Sequence, residues 1–352
     1  MKHFDRVKTA LDGGEPDRVP MFDPMNWTIN FAGNNLEHMG EEEKDISFPK
    51  WIHNPDIFVD SQLKSYNHFD YDFVHSRMSA HILAEAIGCE EEEKYWDLPF
   101  TSPAIDSLDE VDELEKPNYD TDGKIPIQTT AIRMLDKATS EMEDPPMITG
   151  FVRGPFTLAG QVYGVEKTMT AVYREPEKLK DLIDFCTDCT IEYIKKQIEA
   201  GADHIYTPDP SASGDLISRE VFEEFALPYA KKQSKAIIDY STKYSHHYHI
   251  CGDTGDRLDL LSELDASYVS VDYKVDLAEA KEKIGSVAGN VNPTATMLSG
   301  SPKEVRKETE ECIEKAADGG NYVLWLGCDW PLDVPLKNAE TLYETGKEKG
   351  KY

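Results

Sequence analysis

No uninterrupted apolar run in the chain approaches the roughly 18 residues that a membrane-spanning helix requires, which excludes a membrane span. The opening Met-Lys-His-Phe-Asp-Arg-Val-Lys lacks the continuous apolar stretch of a signal peptide, so a cytoplasmic location is expected. Positive charge is scarce. Lys and Arg number 37 against 67 Asp and Glu, a formal net charge of −30 over 352 residues. Such a field repels a phosphate backbone, and nucleic acid is not expected as a partner. Six cysteines in a chain of this length do not make a disulfide framework; core packing and metal or thiol chemistry are the places to look for their roles. The acidic excess is spread along the chain, with runs such as Glu90 to Glu93, and reads as a solvated surface.

What the sequence does have is alternation. From about residue 145 onward, short apolar runs rich in β-branched and aromatic residues alternate with amphipathic charged stretches, the pattern of βα units. Strands are expected at Met147 to Val152, His204 to Pro208, Ser245 to Cys251, Tyr268 to Asp272, Ser286 to Val291 and Tyr322 to Cys328. Helices follow at Glu175 to Ala200, Arg219 to Tyr240, Thr254 to Leu264, Leu277 to Ile284, Pro302 to Ala317 and Asn338 to Lys349. Two earlier strands, Val19 to Asp23 and Phe73 to Ser76, bring the count to eight. Eight strands with intervening helices predict an α/β fold, a (β/α)8 TIM barrel in one domain spanning 1–352. Residues 24–133 hold one of those strands, three tryptophans (Trp27, Trp51, Trp96) and many charges, and are expected to form a helical excursion over the barrel mouth. Ser107 to Pro117 reads as a polar connector within it.

In such a barrel the chemistry sits at the C-terminal ends of the strands. One strand ends in His249-Ile250-Cys251-Gly252-Asp253 and the last in Gly327-Cys328-Asp329. Residues i and i+2 of a strand share a face, so His249 and Cys251 can reach one ion, with Cys328 arriving from another strand tip. One His and two Cys with an open fourth position match a catalytic zinc site. The same residue types also occur in protein cores, and spacing alone leaves both readings open. Cys186 and Cys189 fall inside the long helix and read as core, as do Cys89 and Cys312; His246 and His247 read as structural. Asp253 and Asp329 are candidates for proton transfer or for capping the turns that follow. Asp209 and Asp272 close other strands and could complete a metal site. Arg153, just after a strand, is the candidate for an acidic group on a substrate, and Ser211 is a candidate for substrate contact or helix capping.

Several segments carry a resemblance that runs nearly the length of the chain. They are Arg6-Val7-Lys8-Thr9-Ala10-Leu11 with Glu15-Pro16-Asp17-Arg18-Val19-Pro20, then Gly154-Pro155-Phe156-Thr157-Leu158-Ala159 and Asp209-Pro210-Ser211-Ala212-Ser213. Phe225-Ala226-Leu227-Pro228-Tyr229, Gly289-Asn290-Val291-Asn292-Pro293 and the two cysteine motifs continue the series. Together they resemble the uroporphyrinogen decarboxylase superfamily, and within it the methylcobamide:coenzyme M methyltransferases. The resemblance implies a (β/α)8 barrel, zinc held by His249, Cys251 and Cys328, and Asn292 among the substrate-binding residues with Arg153, Asp209 and Ser211. It also implies the reaction: a methyl group passes from a methyl-corrinoid, carried on a small corrinoid protein, to a thiol such as coenzyme M, whose thiolate the zinc favours. The decarboxylase branch has an arginine-rich stretch after the first strand, where this chain reads Asp23-Pro24-Met25-Asn26-Trp27-Thr28. A lyase acting on an acidic tetrapyrrole, or a corrinoid- or thiol-binding protein without turnover, is the alternative. A corrinoid protein would dock at the mouth, where Trp27 and Trp51 either present an aromatic rim or pack the excursion internally.

Overall fold

The structure is a computed structural model and describes residues 1–33, 46–241 and 246–352. Its strands in chain order are β1 (Phe73–His75), a hairpin of β2 (Glu90–Lys94) and β3 (Asp97–Ser102), then β4 (Met147–Phe151), β5 (His204–Pro208), β6 (His246–Ile250), β7 (Tyr268–Val271), β8 (Val287–Val291) and β9 (Tyr322–Leu326). β1 and β4 to β9 form one parallel sheet in sequence order. The expected start of β6 at Ser245 lies outside the described residues. The first expected strand, Val19 to Asp23, is reduced to a single parallel bridge between Met21 and Leu324. It nonetheless joins both edges of the sheet: Leu324 N donates to Pro20 O, Phe22 N to Leu324 O, and Asp72 N to Met21 O. Pro20 has no N–H for a ladder, and the Met21 N–H is taken by the Asp72 carboxylate, which is why a regular strand does not form.

The pleat sorts the side chains into two environments. Trp325 on β9 packs against Tyr206 on β5 at 5.7 Å between ring centroids, His247 on β6 at 5.3 Å and Phe22 at 5.4 Å. β9 and β5 are not neighbours in the sheet, so these rings meet across the lumen. The alternate residues Ile148, Ile205, Tyr248, Val269 and Leu324 join the larger core beneath the helices. The helices form broadly where the sequence places them. Pro302–Ala316 begins with Ser301 and Glu304 capping each other, and Pro176–Glu199 buries Cys186 and Cys189 in its apolar face. Only the expected Thr254 to Leu264 helix shrinks, to Leu258–Leu261 after a short turn at Gly255–Arg257.

At the N-terminal end of the barrel, fully buried Asp72 ties the first segment in place. It accepts from Arg6 at 2.6 Å, Arg18 at 2.7 Å and Met21 N at 2.7 Å, with His3 Nδ1 at 2.8 Å. Burial disfavours its ionised form, but Arg18, His3 and Arg6 together hold its carboxyl well below the usual range.

β1 splits the 24–133 excursion in two. Before it come helices Phe48–Ile52 and Pro55–Phe69; after it come Ile82–Ile87, the β2–β3 hairpin, which the sequence reading lacked, and Ile125–Thr139. Within the expected connector, Ser107 and Glu110 cap a helical turn at Leu108–Glu113. Trp27 and Trp51 supply no exposed rim. Both are fully buried and each indole N–H finds a buried partner: Trp51 donates to Ser61 Oγ within the excursion, and Trp27 to Val334 O in the segment after β9. Residues 34–45 of the excursion lie outside the described residues. No helix among the described residues is long and apolar enough to cross a membrane.

Candidate functional site

His249 is the fourth residue of β6, on the lumen face with His247, while His246 and Tyr248 point to the helices. Cys251 follows the strand end, and Cys328 follows β9. One ligand atom from each of His249, Cys251 and Cys328 lies within 4.8 Å of the others. His249 Nε2 is 3.2 Å from Cys251 Sγ, which is 3.0 Å from Cys328 Sγ. Glycine beside each cysteine makes the approach possible. Gly252 has φ +80° and a Cβ there would strike Ser213 and Asp215; one on Gly327 would strike the backbone of Tyr273. Asp272 Oδ2 accepts from Gly252 N and fixes the turn just after Cys251.

Ser270 on β7 orients the imidazole, a contact that sequence reasoning missed. Its Oγ lies 2.7 Å from His249 Nδ1 and its carbonyl oxygen 3.3 Å away. A proton on Nδ1 donates to these oxygens and leaves the Nε2 lone pair facing the thiols. The same hydroxyl lies 2.7 Å from His247 Nε2. Hydrogen bonding to Cys251 and burial push the Cys328 thiol well above the ordinary cysteine range. Two thiols and an oriented imidazole form an N/S donor set of the kind that suits zinc.

Arg77, one residue past the expected second strand, is the other residue that the sequence reading passed over; the strand-end rule that selected Arg153 also selects it. Its side chain is 1% exposed, and its Nη1 donates to Asp329 Oδ2 at 2.7 Å. The guanidinium groups of Arg77 and Arg153 lie 4.8 and 5.5 Å from the centroid of the Phe151 ring. Burial raises the cost of the Asp329 charge, yet Arg77 and Arg153 hold its pKa below the ordinary value. Burial and the neighbouring Arg77 charge pull that of Arg153 down.

The remaining sequence candidates fall into two groups. Arg153 and Ser211 share a cleft of about 760 Å³ with His81, Thr157 and Gln161. The other three engage the protein itself. Asp209 is buried, accepting from Thr157 N and Oγ1 on one oxygen and from Tyr248 on the other. Asn292 Oδ1 caps Thr294 N and Ala295 N, and exposed Asp253 accepts from Gly255 N. A second, smaller pocket of about 410 Å³ is lined by Asn26, Arg77, Asp329 and Trp330.

Residues 2–349 match the family described as uroporphyrinogen decarboxylase (URO-D). The chain belongs to that family. Among curated proteins it is 31% identical over 248 residues to a methylcobamide:CoM methyltransferase of Methanosarcina mazei, covering 69% of each chain. It is 30% identical to a methylated-thiol–coenzyme M methyltransferase of the same organism, over 97% of this chain and 88% of that one. A uroporphyrinogen decarboxylase of Microcystis aeruginosa is 28% identical over 92% and 93% of the two chains. Among solved structures, a methyltransferase from Methanosarcina mazei superposes with a TM-score of 0.84 at 24% identity, covering 99% of both chains. The fold is therefore the URO-D-like TIM barrel, and the relatives support methyltransferase chemistry at a coarse level.

Proposed function

We propose that this protein transfers a methyl group from a methyl-corrinoid, presented by a small corrinoid protein in the cytoplasm, to the sulfur of a thiol, with coenzyme M as the first acceptor to test. The observation that carries the reading is the convergence of His249, Cys251 and Cys328 at the C-terminal end of the barrel strands. These three residues would hold zinc. Bound there, the ion would supply the Lewis acidity that keeps an acceptor sulfur as thiolate at neutral pH, where a free alkyl thiol is mostly protonated.

The chain's own residues do the rest. Ser270 sets the His249 tautomer, and Asp272 with Gly252 places Cys251. Asp329, held ionised by Arg77, is a weak proton acceptor at neutral pH; in this reading it anchors Arg77 at the rim of the cluster. Arg153 and Ser211 contact substrate in the wider cleft, while Asp209, Asn292 and Asp253 shape the loops around it. The whole chain acts as one barrel domain, with the 24–133 excursion walling the mouth: Asp97 borders the smaller pocket and Thr101 the larger. A uroporphyrinogen decarboxylase-type lyase would give the His-Cys-Cys cluster no task.

The test is demethylation of free methylcobalamin by coenzyme M, followed by absorbance. Activity that disappears on chelation and returns with zinc supports the reading. Turnover indifferent to chelation, or porphyrinogen decarboxylation in its place, overturns it.

A further inference from the structure

The smaller pocket contains polar atoms with no partner. Arg77 Nε and Nη2, both side-chain atoms of Asn26, and Trp330 Nε1 are buried and make no hydrogen bond among the described residues. The three residues are 1%, 5% and 4% exposed, and all three line the same pocket as Asp329, the residue that follows Cys328. A buried donor or acceptor left unpaired is costly, so three such atoms besides the two of the guanidinium edge, gathered in one cavity, point to a ligand that satisfies them.

The chemistry of that ligand can be read from the atoms. Arg77 already spends Nη1 on Asp329. What it offers to the pocket is the edge formed by Nε and Nη2, two parallel N–H groups that match the two oxygens of a planar carboxylate. Trp330 adds a third donor. Asn26 is different, because whichever way its carboxamide is turned it presents one donor and one acceptor. A purely accepting anion such as a sulfonate leaves that acceptor unpaired; a carboxylate with an adjacent ammonium fills it. The pocket also holds charge of both signs, since Asp97 from β3 lines it with Arg77. Met25 and Leu332 supply apolar wall for a short carbon chain. In a protein of net charge −30, a buried guanidinium with a free edge, bonded to the residue that follows Cys328, marks where an acid group is wanted.

We infer that the pocket formed by Asn26, Arg77 and Trp330 binds the zwitterionic end of an amino-acid thiol, carboxylate on Arg77 and ammonium toward Asn26 and Asp97, with the thiol directed to the His249–Cys251–Cys328 cluster. The inference rests on the methyl-transfer reading for the role of the thiol, but not for the pocket itself.

The pocket is tested without any thiol. Calorimetry of the full-length protein uses three probes: 2-aminobutyrate, butyrate and ethanesulfonate. The wild type should bind 2-aminobutyrate at least tenfold more tightly than ethanesulfonate. Arg77→Lys, which keeps the charge but loses the fork, should weaken 2-aminobutyrate at least tenfold. Asn26→Leu should abolish its advantage over butyrate. Ethanesulfonate binding as tightly as 2-aminobutyrate, or an unchanged affinity in both variants, overturns the inference, as does a wild type that binds none of the probes at millimolar concentration. Thermal unfolding of each variant separates lost binding from lost fold. Homocysteine, the same skeleton with a terminal thiol, should then show a KM for methylcobalamin demethylation at least tenfold below that of coenzyme M. If the probes bind as expected but no thiol is methylated, the methyl-transfer reading fails and the pocket stands. If coenzyme M is methylated and 2-aminobutyrate does not bind, the reading stands and this inference fails.

Discussion

Ser270→Ala tests whether the imidazole is positioned for metal or merely packed. The substitution removes one hydroxyl that serves two rings, with 2.7 Å contacts to His249 Nδ1 and His247 Nε2. His249 is not set free, because the Ser270 carbonyl oxygen still lies 3.3 Å from Nδ1. Residues that orient a metal-binding histidine change affinity by about 10–100-fold when removed, and the surviving carbonyl contact argues for the low end. About tenfold weaker zinc binding, equivalent to about 1.4 kcal/mol, is expected. His247 has a separate cost. Its Nδ1 has no partner among the described residues, so the variant buries its ring with neither nitrogen bonded, a penalty of about 1–3 kcal/mol on the fold whether or not metal is present. Competition with a chromophoric chelator measures the first effect, and thermal unfolding of metal-free protein the second. Ser270→Thr, which keeps the hydroxyl on a β-branched residue suited to a strand, should recover most of both. Zinc affinity within twofold of wild type in Ser270→Ala would refute the positioning argument, even if the melting temperature fell.

Three further outcomes are expected. Asp72→Ala takes a carboxylate from buried Arg18 and leaves Arg6 with Asp17 alone, and should cost about 3–5 kcal/mol by denaturant unfolding. Because the folded-state pKa of Asp72 is depressed, its contribution is complete above the unfolded value of about 3.9 and is lost as pH falls below it, so the gap between wild type and variant should narrow in acid. Trp27→Ala should cost about 3–5 kcal/mol and lower activity equally with free methylcobalamin and with a protein-borne donor; loss confined to the protein-borne donor would return Trp27 to a docking role. Thiol binding to the zinc-loaded protein should release a proton, seen as a buffer-dependent calorimetric enthalpy, and its absence would remove thiolate activation from the scheme.

The sheet was legible because strand and helix periodicities are written in runs of residues that each obey one environment. Residues 204–208, for example, carry β-branched Ile205 and Thr207 around Tyr206 and are buried throughout. The first strand was legible as a barrel element but not as a bridge, since the competing Asp72 carboxylate lies 51 positions from Met21. The candidate metal ligands stood out through strand-end position and side-chain chemistry. Ser270 did not, because serine in a strand carries no signature and its meaning comes from the neighbouring strand in register with His249. Arg77 was within reach of the strand-end rule, whereas its partnership with Asp329 spans 252 positions and is set by the closure of the barrel. The β2–β3 hairpin was hidden by composition: its Glu90 to Glu93 run reads as solvated charge, which holds for exposed Glu90 and Glu92, while the alternate residues Glu91 and Glu93 both sit on the Lys124 ammonium.

The central claim is that His249, Cys251 and Cys328 hold one ion between them. Zinc content of purified protein, determined by mass spectrometry of the metal alongside circular dichroism of the fold, tests it most directly. The account predicts about one zinc per chain in the wild type and none in Cys328→Ala, with the dichroism spectrum unchanged because the ligand sits at the barrel's end rather than in its core. Full zinc occupancy in the folded Cys328→Ala protein would contradict it.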